Sequence, residues 1–310
     1  MAERALVTGG AGFIGSHVVD SLLRDGYEVL VVDDLSAGDT DRLAADTRLA
    51  EVDITDARAF DAAFDGFRPG AVYHLAAQAS VISSVTDPGR DCAVNVLGTL
   101  NVVEAARRHG APVVFTSTGG ALYGDDAPIP TAEDQLPLPL SPYGASKLAA
   151  ESYVRSWGAA HGVPSAVMRL GNIYGPRQTP HGEAGVVAIF SYRLWVGEPC
   201  TLYGHGSPTR DYVHVLDVVA ALRAASGRAG IYNVGTGVET DVRTLYARLA
   251  EAAGSTAEPA LADLRPGELR RSCLDASRAR SELGWAPRIG LADGLARTYE
   301  AMVDSFRAAA

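Results

Sequence analysis

Four glycines fall within seven positions, at Gly9, Gly10, Gly12 and Gly15, between a short apolar run and an amphipathic one. The run 4–7 reads as a buried strand, and Val18, Val19, Leu22 and Leu23 recur at helical spacing. Gly10, Gly12 and Gly15 have the spacing of a dinucleotide loop, in which one glycine makes the turn, one admits a pyrophosphate and one lets helix pack on strand. The helix start then offers free N–H groups and the positive end of its dipole to the phosphates. Alone the pattern is weak, since any tight strand-to-helix turn can use glycine. A second strand, 28–32, ends in Asp33 about twenty residues on, where a carboxylate accepts the adenosine ribose hydroxyls. Asp33 would repel a 2′-phosphate, so the expected cofactor is NAD rather than NADP.

Strands alternate with helices through the first half of the chain. A loop rich in turn residues, Asp34-Leu35-Ser36-Ala37-Gly38, follows Asp33, and a strand ending at 51–54 comes next. Asp53 is placed either to accept from the adenine amino group or simply to turn the chain at a strand end; Asp56 is placed to cap the next helix. A continuous apolar strand at 71–77 carries small residues, Ala76 and Ala77, that let a cofactor lie close over its end. A helix at about 88–109 and a strand at 112–116 complete the alternation. The expected fold is α/β, a doubly wound parallel (Rossmann) sheet with a smaller C-terminal α/β substrate-binding region. The domains expected are 1–170 for NAD, with 211–230 returning to it, and 171–310 for substrate.

Chemistry belongs at the carboxyl ends of such strands. Thr116-Ser117-Thr118-Gly119-Gly120 puts hydroxyls there beside glycines that leave room for a ligand. Downstream, Ser141 and Pro142 open a helix as N-cap and first-turn residue, and Tyr143 and Lys147 stand four apart on one of its faces. An ammonium near a phenol favours the phenolate, so Lys147 is expected to lower the Tyr143 pKa and make it a general base near neutrality. A lone pair of this kind is often only a surface tyrosine and lysine. The dinucleotide loop upstream favours catalysis.

Composition narrows the partners. A net charge of −10 argues against nucleic acid and anionic membranes, so an anionic ligand must meet local arginines. The three cysteines have no metal spacing and no even pairing, which suits idle thiols in a reducing compartment. No apolar run reaches membrane-spanning length, and the first strand begins too early to leave room for a signal peptide. A cytoplasmic protein is expected.

TGGAGFIGSH, VDDLSAG, HLAAQ, YGASK, RLGNIYGP and TRDYVHVLDV together resemble the extended short-chain dehydrogenase/reductase family. Within it the chain is most similar to the nucleotide-sugar 4-epimerases acting on UDP-glucose and UDP-glucuronate. The resemblance runs from about residue 4 to the last helix. It implies a redox-neutral isomerase: Tyr143 takes the 4-hydroxyl proton, NAD holds the C4 hydride, and the 4-keto sugar turns over before the hydride returns. Thr118 or Ser117 would supply a hydroxyl to the reacting oxygen, with Thr118 preferred, and Lys147 would also bind the nicotinamide ribose. The resemblance further implies cofactor contacts from Gly9, Gly12, Phe13, Ile14, Gly15, Asp33, Asp34, Leu35, Ser36, Gly38, Asp53, Ile54, Leu75, Ala76, Ala77, Gln78, Asn95 and Ser117.

For the UDP-sugar it implies Thr118, Gly119, Asn172, Val187, Thr201, Tyr203, Arg210, Arg265 and Glu268. The strand 166–170 leads into Asn172 at the diphosphate, the helix at about 185–196 covers the sugar, and Asp211 to Val215 returns to the main sheet. Similar enzymes pair as homodimers through helices that here span about 88–109 and 142–161. Gly119 and Gly120 replace the acidic residues of related dehydratases and decarboxylases, which disfavours a lyase; many epimerases carry Ser or Thr where Gly119 stands. Gly171 replaces a bulky residue of many relatives, which would alter nicotinamide packing. A non-catalytic NAD-binding scaffold is disfavoured by the presence of both Tyr143 and Lys147. Within the sugar-covering helix, Arg193 shares a face with Val186, Ile189 and Phe190. An arginine looking at the hexose suits a carboxylate, leaning the substrate toward UDP-glucuronate and UDP-galacturonate over UDP-glucose and UDP-galactose. At the stripe's edge it would instead reach Glu183, Glu198 or water.

Overall fold

The computed structural model describes residues 3–180, 185–265 and 269–309. The first half runs β1 (Arg4–Thr8), α1 (Phe13–Arg24), β2 (Glu28–Asp33), β3 (Arg48–Glu51), α2 (Ala57–Phe67) and β4 (Ala71–His74). Then come α3 (Val81–Thr86), α4 (Pro88–Cys92), α5 (Thr99–His109), β5 (Val113–Thr118), α6 (Pro142–His161) and β6 (Ser165–Leu170). The second half holds β7 (Asn172–Tyr174), α7 (Val186–Val196), β8 (Thr201–Tyr203), β9 (Thr209–His214), α8 (Val215–Ala224) and β10 (Gly230–Val234). It ends with β11 (Glu239–Asp241), α9 (Val242–Ala252), β12 (Ala260–Ala262), α10 (Ser277–Leu283) and α11 (Leu291–Ala309).

Strand alternation builds two apolar layers. In β1, Ala5 and Val7 join Val18, Val19 and Leu22 of α1, whereas Leu6 points the other way toward Phe60 and Phe64 of α2. Period-two alternation with both faces apolar gives a sheet that must be covered on each side. Among the described residues it has seven strands, all parallel, in the order β10-β6-β5-β4-β1-β2-β3. The chain reverses direction across the sheet between β1 and β4, which opens a crevice at their carboxyl ends.

The return to the main sheet is made by β10, against β6, and not by Asp211 to Val215 as the sequence suggests. Those residues lie in β9 and the start of α8; β9 pairs with β7 and β11 in a separate three-stranded sheet. The reason is local: the Asp211 carboxylate accepts from the backbone N–H groups of Thr236, Gly237 and Leu274, which ties β9 to the smaller sheet. A third apolar cluster, with Tyr174, Phe190, Leu202 and Leu245, joins α7 and α9 to α11. The helix expected at 88–109 runs without a break, but it is not α throughout. A π-helical stretch, Ala93–Gly98, lies between α4 and α5 and carries Asn95. Such a widened turn re-aims side chains and recurs at functional sites.

Candidate active site

At the crevice, β1 passes into α1 through the glycine loop. Gly9 takes the left-handed turn at φ 67°, a role the spacing gives to Gly10; a Cβ on Gly10 would instead strike Val31. A Cβ on Gly15 would fall 2.0 Å from the Gly9 carbonyl, so α1 packs against the loop only because that position lacks one. Gly12 is the N-cap of α1 and supplies no capping side chain, and Phe13 and Ile14 open the helix, leaving its first N–H groups for an anion. Asp33 ends β2 and accepts from the N–H groups of Ala11 at 2.9 Å and Leu35 at 3.0 Å. Burial raises its pKa, and those two donors oppose the rise. Gly38 closes against it; a Cβ there would lie 2.6 Å from Asp33 Oδ1.

The rest of the expected cofactor set divides. Leu75 and Ala76 donate their N–H groups to the Thr8 hydroxyl at the β1 and β4 ends, and Ala77 follows. Asp34 accepts from the N–H and hydroxyl of Ser36, folding that loop on itself. Asp53 accepts from the Thr55 N–H at 2.8 Å, the turn-residue alternative, and Ile54 is buried against Gly98. Gln78 and Asn95 are joined: the Gln78 N–H donates to Asn95 Oδ1, and Asn95 donates back to the Gln78 carbonyl. The Ser117 hydroxyl is buried with no hydrogen-bond partner among the described residues, an orphan donor at the end of β5. A bare helix N-terminus, a buried carboxylate at the second strand end and an unpaired hydroxyl together fit NAD.

The candidate general base lies on α6. The Ser141 hydroxyl caps α6 by accepting from the Gly144 N–H, and this fixes Tyr143 and Lys147 in its first turns. Thr118 is the β5 hydroxyl that acts on the Tyr143 phenol, opposing the rise in its pKa. A Cβ on Gly119 would fall 2.5 Å from Leu274 Cδ1, so Leu274 occupies the space that a Ser or Thr at 119 needs. One on Gly120 would lie 3.4 Å from Asn172 Oδ1, which puts Asn172 at the same corner. Lys147 is 3 % exposed, with Nζ 4.4 Å from the centroid of the Phe115 ring. Burial holds it down to about 8, against the opposing pull of Glu151 and Asp91.

The expectation that Lys147 lowers the Tyr143 pKa fails here. Burial pushes the phenol up to about 12, Thr118 opposes the rise and the charge of Asp91 adds to it. Desolvation penalises both charged forms, and Lys147 is spent on the Phe115 ring rather than on the phenol.

The match to known proteins follows this geometry. Residues 5–235 match the NAD dependent epimerase/dehydratase family. The chain belongs to that family. The epimerase-family enzyme is 48% identical over 305 residues to a UDP-glucose 4-epimerase of Mycolicibacterium smegmatis, covering 96% of this chain and 97% of that one. Its fold superposes with a TM-score of 0.95 on the Thermotoga maritima UDP-glucose 4-epimerase solved with UDP-glucose, at 43% identity, covering 98% and 99% of the two chains. The Thermus thermophilus UDP-glucose 4-epimerase complex with NAD gives 0.91 at 46% identity, with 99% and 100% covered. NAD is thus this epimerase-family enzyme's cofactor.

Its remaining expected substrate residues sit in the second half. Thr201 and Tyr203 are on β8, and the Arg265 guanidinium stacks over the Tyr203 ring, 3.7 Å from its centroid. Arg210 lies on β9 and donates to the Thr209 carbonyl at 2.8 Å. Glu268 and Glu183 lie outside the described residues. Two side chains are placed otherwise than expected. Val187 is buried in the third apolar cluster with Tyr174 and Phe190, so its side chain serves the core. Arg193 donates to the Pro199 carbonyl at 2.9 Å, at the stripe's edge though not to the partners expected there, because it sits in the last turn of α7 and the loop that follows brings Pro199 within its reach.

A buried network escaped the sequence reading of this enzyme. Arg169 of β6 and Glu151 of α6, 3 % and 2 % exposed at the side chain, are paired through contacts of 2.7 and 3.1 Å. Arg169 also donates to the Tyr123 hydroxyl, which bonds Asn233 of β10. Glu151 stands four residues beyond Lys147, so a helical-face reading extended by one turn finds it.

Proposed function

We propose that this enzyme is a UDP-glucose 4-epimerase, interconverting UDP-glucose and UDP-galactose through a transient 4-keto sugar. The observation that carries this is Tyr143 at the end of β5, where Thr118 acts on its phenol and the Gly119-Gly120 pair holds no titratable group. One proton-transfer centre suffices to make and unmake a ketone, whereas elimination or decarboxylation needs more. The glycine loop, Asp33 and Ser117 would hold NAD, which would supply reversible hydride acceptance from C4. Tyr143, as its phenolate, accepts the proton of the 4-hydroxyl, and the Thr118 hydroxyl orients that oxygen. Tyr143 then returns the proton to the same oxygen after the sugar has turned over. Arg210 and the Arg265–Tyr203 stack anchor the nucleotide through that rotation, with Asn172 at the diphosphate.

The glucuronate preference rested on Arg193 facing the hexose, and its bond to Pro199 supports the neutral sugars instead. Proton NMR on a panel of UDP-sugars tests the reading. UDP-glucose and UDP-galactose should interconvert without added oxidant, and denaturing the enzyme should release NAD. Dominant turnover of UDP-glucuronate, or release of an unsaturated or decarboxylated product, would overturn it.

A homodimer is part of the proposal. Helices α4, α5 and α6 lie side by side, and Val81, Ile82, Val85, Leu97 and Tyr153 are exposed in and around them. Light scattering at micromolar concentration should give twice the chain mass; a monomer refutes it. We place the enzyme in the cytoplasm, which suits its three free cysteines. No helix among the described residues is long and apolar enough to cross a membrane.

A further inference from the structure

Asp91 is a buried carboxylate that the steps above do not use. It lies on α4 and is 1 % exposed. Its hydrogen-bond partners are neutral: Gln78 Nε2 at 2.8 Å and Asn95 Nδ2 at 3.1 Å, both on Oδ1. Among the described residues no arginine or lysine forms an ion pair with it. A carboxylate this deep requires compensation by charge as well as by hydrogen bonds. The same Asn95 amide reaches across to the Ser146 hydroxyl at 3.0 Å, and Ser146 precedes Lys147 on α6. Asp91 is therefore one side chain removed from the catalytic helix, and its charge acts on both Tyr143 and Lys147.

We propose that Asp91 is the counter-charge of Lys147 and a positioning residue for the epimerisation, acting through Asn95 and Ser146. The proposal rests on the 4-epimerase reading above. The other charged or titratable groups on the elements around this pair are engaged elsewhere; on α5, Glu104 pairs with Arg107, Arg108 with Asp61 and His109 with Asp65. Glu151, on α6, is held by Arg169 of β6. His74, at the end of β4, is fully buried between the Thr8 and Thr99 hydroxyls, and burial together with the Lys147 charge holds it down to about 3. Asp87 caps α4 at its exposed end, where its neighbour Arg90 also faces solvent, and α3 contributes no titratable group. Asp91 is thus the acid near the active-site lysine that lacks a cation of its own. It keeps Lys147 positive, and it holds the Tyr143 proton in place until substrate and cofactor are seated.

A structural residue and an electrostatic one differ in what their removal does to pH dependence. Asp91→Asn preserves the Oδ1 acceptor for both amides and removes the charge. It should move both limbs of the kcat/KM profile toward acid by about half a pH unit or more, because Tyr143 and Lys147 each lose a proton more readily without a nearby anion. Ser146→Ala cuts the link and leaves the charge, so it should lower kcat several-fold with the limbs unmoved. A second readout needs no turnover. The alkaline difference absorbance between the parent and its Tyr143→Phe derivative reports the Tyr143 phenolate, and its midpoint should fall when Asp91→Asn is present in both. If the wild type epimerises no UDP-sugar, the functional reading fails while this titration still judges Asp91. Unmoved limbs with an unmoved phenolate midpoint would overturn the proposal. So would a failure of both Asp91→Asn and Asp91→Ser to fold, since Asp91 would then be structural.

Discussion

The ammonium of Lys147 rests 4.4 Å from the centroid of the Phe115 ring, at the point where α6 crosses the end of β5. The ring face stabilises the cation without an ion pair, a contact worth about 0.5–2 kcal/mol as burial increases. Since burial already holds Lys147 down to about 8, the ring helps decide its charge at working pH. Activity should therefore fall as pH rises through about 8. Phe115→Leu should move that alkaline limb downward by about half a unit to one unit, measured as kcat/KM against pH. An unmoved limb in a folded variant rules the ring out.

Thr118 and Ser117 are adjacent on β5, yet it is Thr118 that acts on the Tyr143 phenol. Thr118→Val should cost about 10²-fold or more in kcat, within the range for a disrupted proton transfer. Ser117→Ala should leave kcat within a few-fold and act chiefly on NAD retention. Comparable kcat losses from both would mean that the hydroxyls share the role.

Leu274 fills the space in front of Gly119. Gly119→Ser should destabilise the fold by about 1–3 kcal/mol through overpacking, read as a lower denaturation midpoint with the same m-value. Adding Leu274→Ala should relieve the clash, so that the pair is closer to wild type than the sum of the single changes. Strict additivity would show that the two positions do not meet.

Two buried histidines set an acid limit. Burial holds His74 down to about 3 and His214 to about 4, from 6.5. The unfolded chain binds these protons at about 6.5 and the folded chain refuses them, so unfolding takes up protons and stability falls as pH drops from 6.5 toward those values. Each histidine contributes about 1.4 kcal/mol per pH unit across its window. His74→Gln should remove roughly half of this histidine contribution to the slope of unfolding free energy between pH 6.5 and 4.5. An unchanged slope contradicts the assignment of His74 as a buried neutral ring.

The amino-acid sequence by itself determined what short-range spacing can encode. Gly9 to Gly15 with Asp33 specify a phosphate turn and a carboxylate one strand over, because glycine sterics and strand period act within a few residues. The same holds for Ser141, whose cap sets the start of α6 and so puts Tyr143 and Lys147 on one face. Only the tertiary structure decided where long-range partners stand. Leu274 excludes a side chain at Gly119 from 155 positions away, and no local pattern contains that contact. Arg193 shares an apolar stripe in sequence yet turns to the Pro199 carbonyl, because the loop after α7 places an acceptor there that periodicity does not register. The pKa of Tyr143 follows the same rule. Spacing brings a lysine within a helical turn, but burial and the charge of Asp91 are properties of the folded interior, and they carry the phenol the other way.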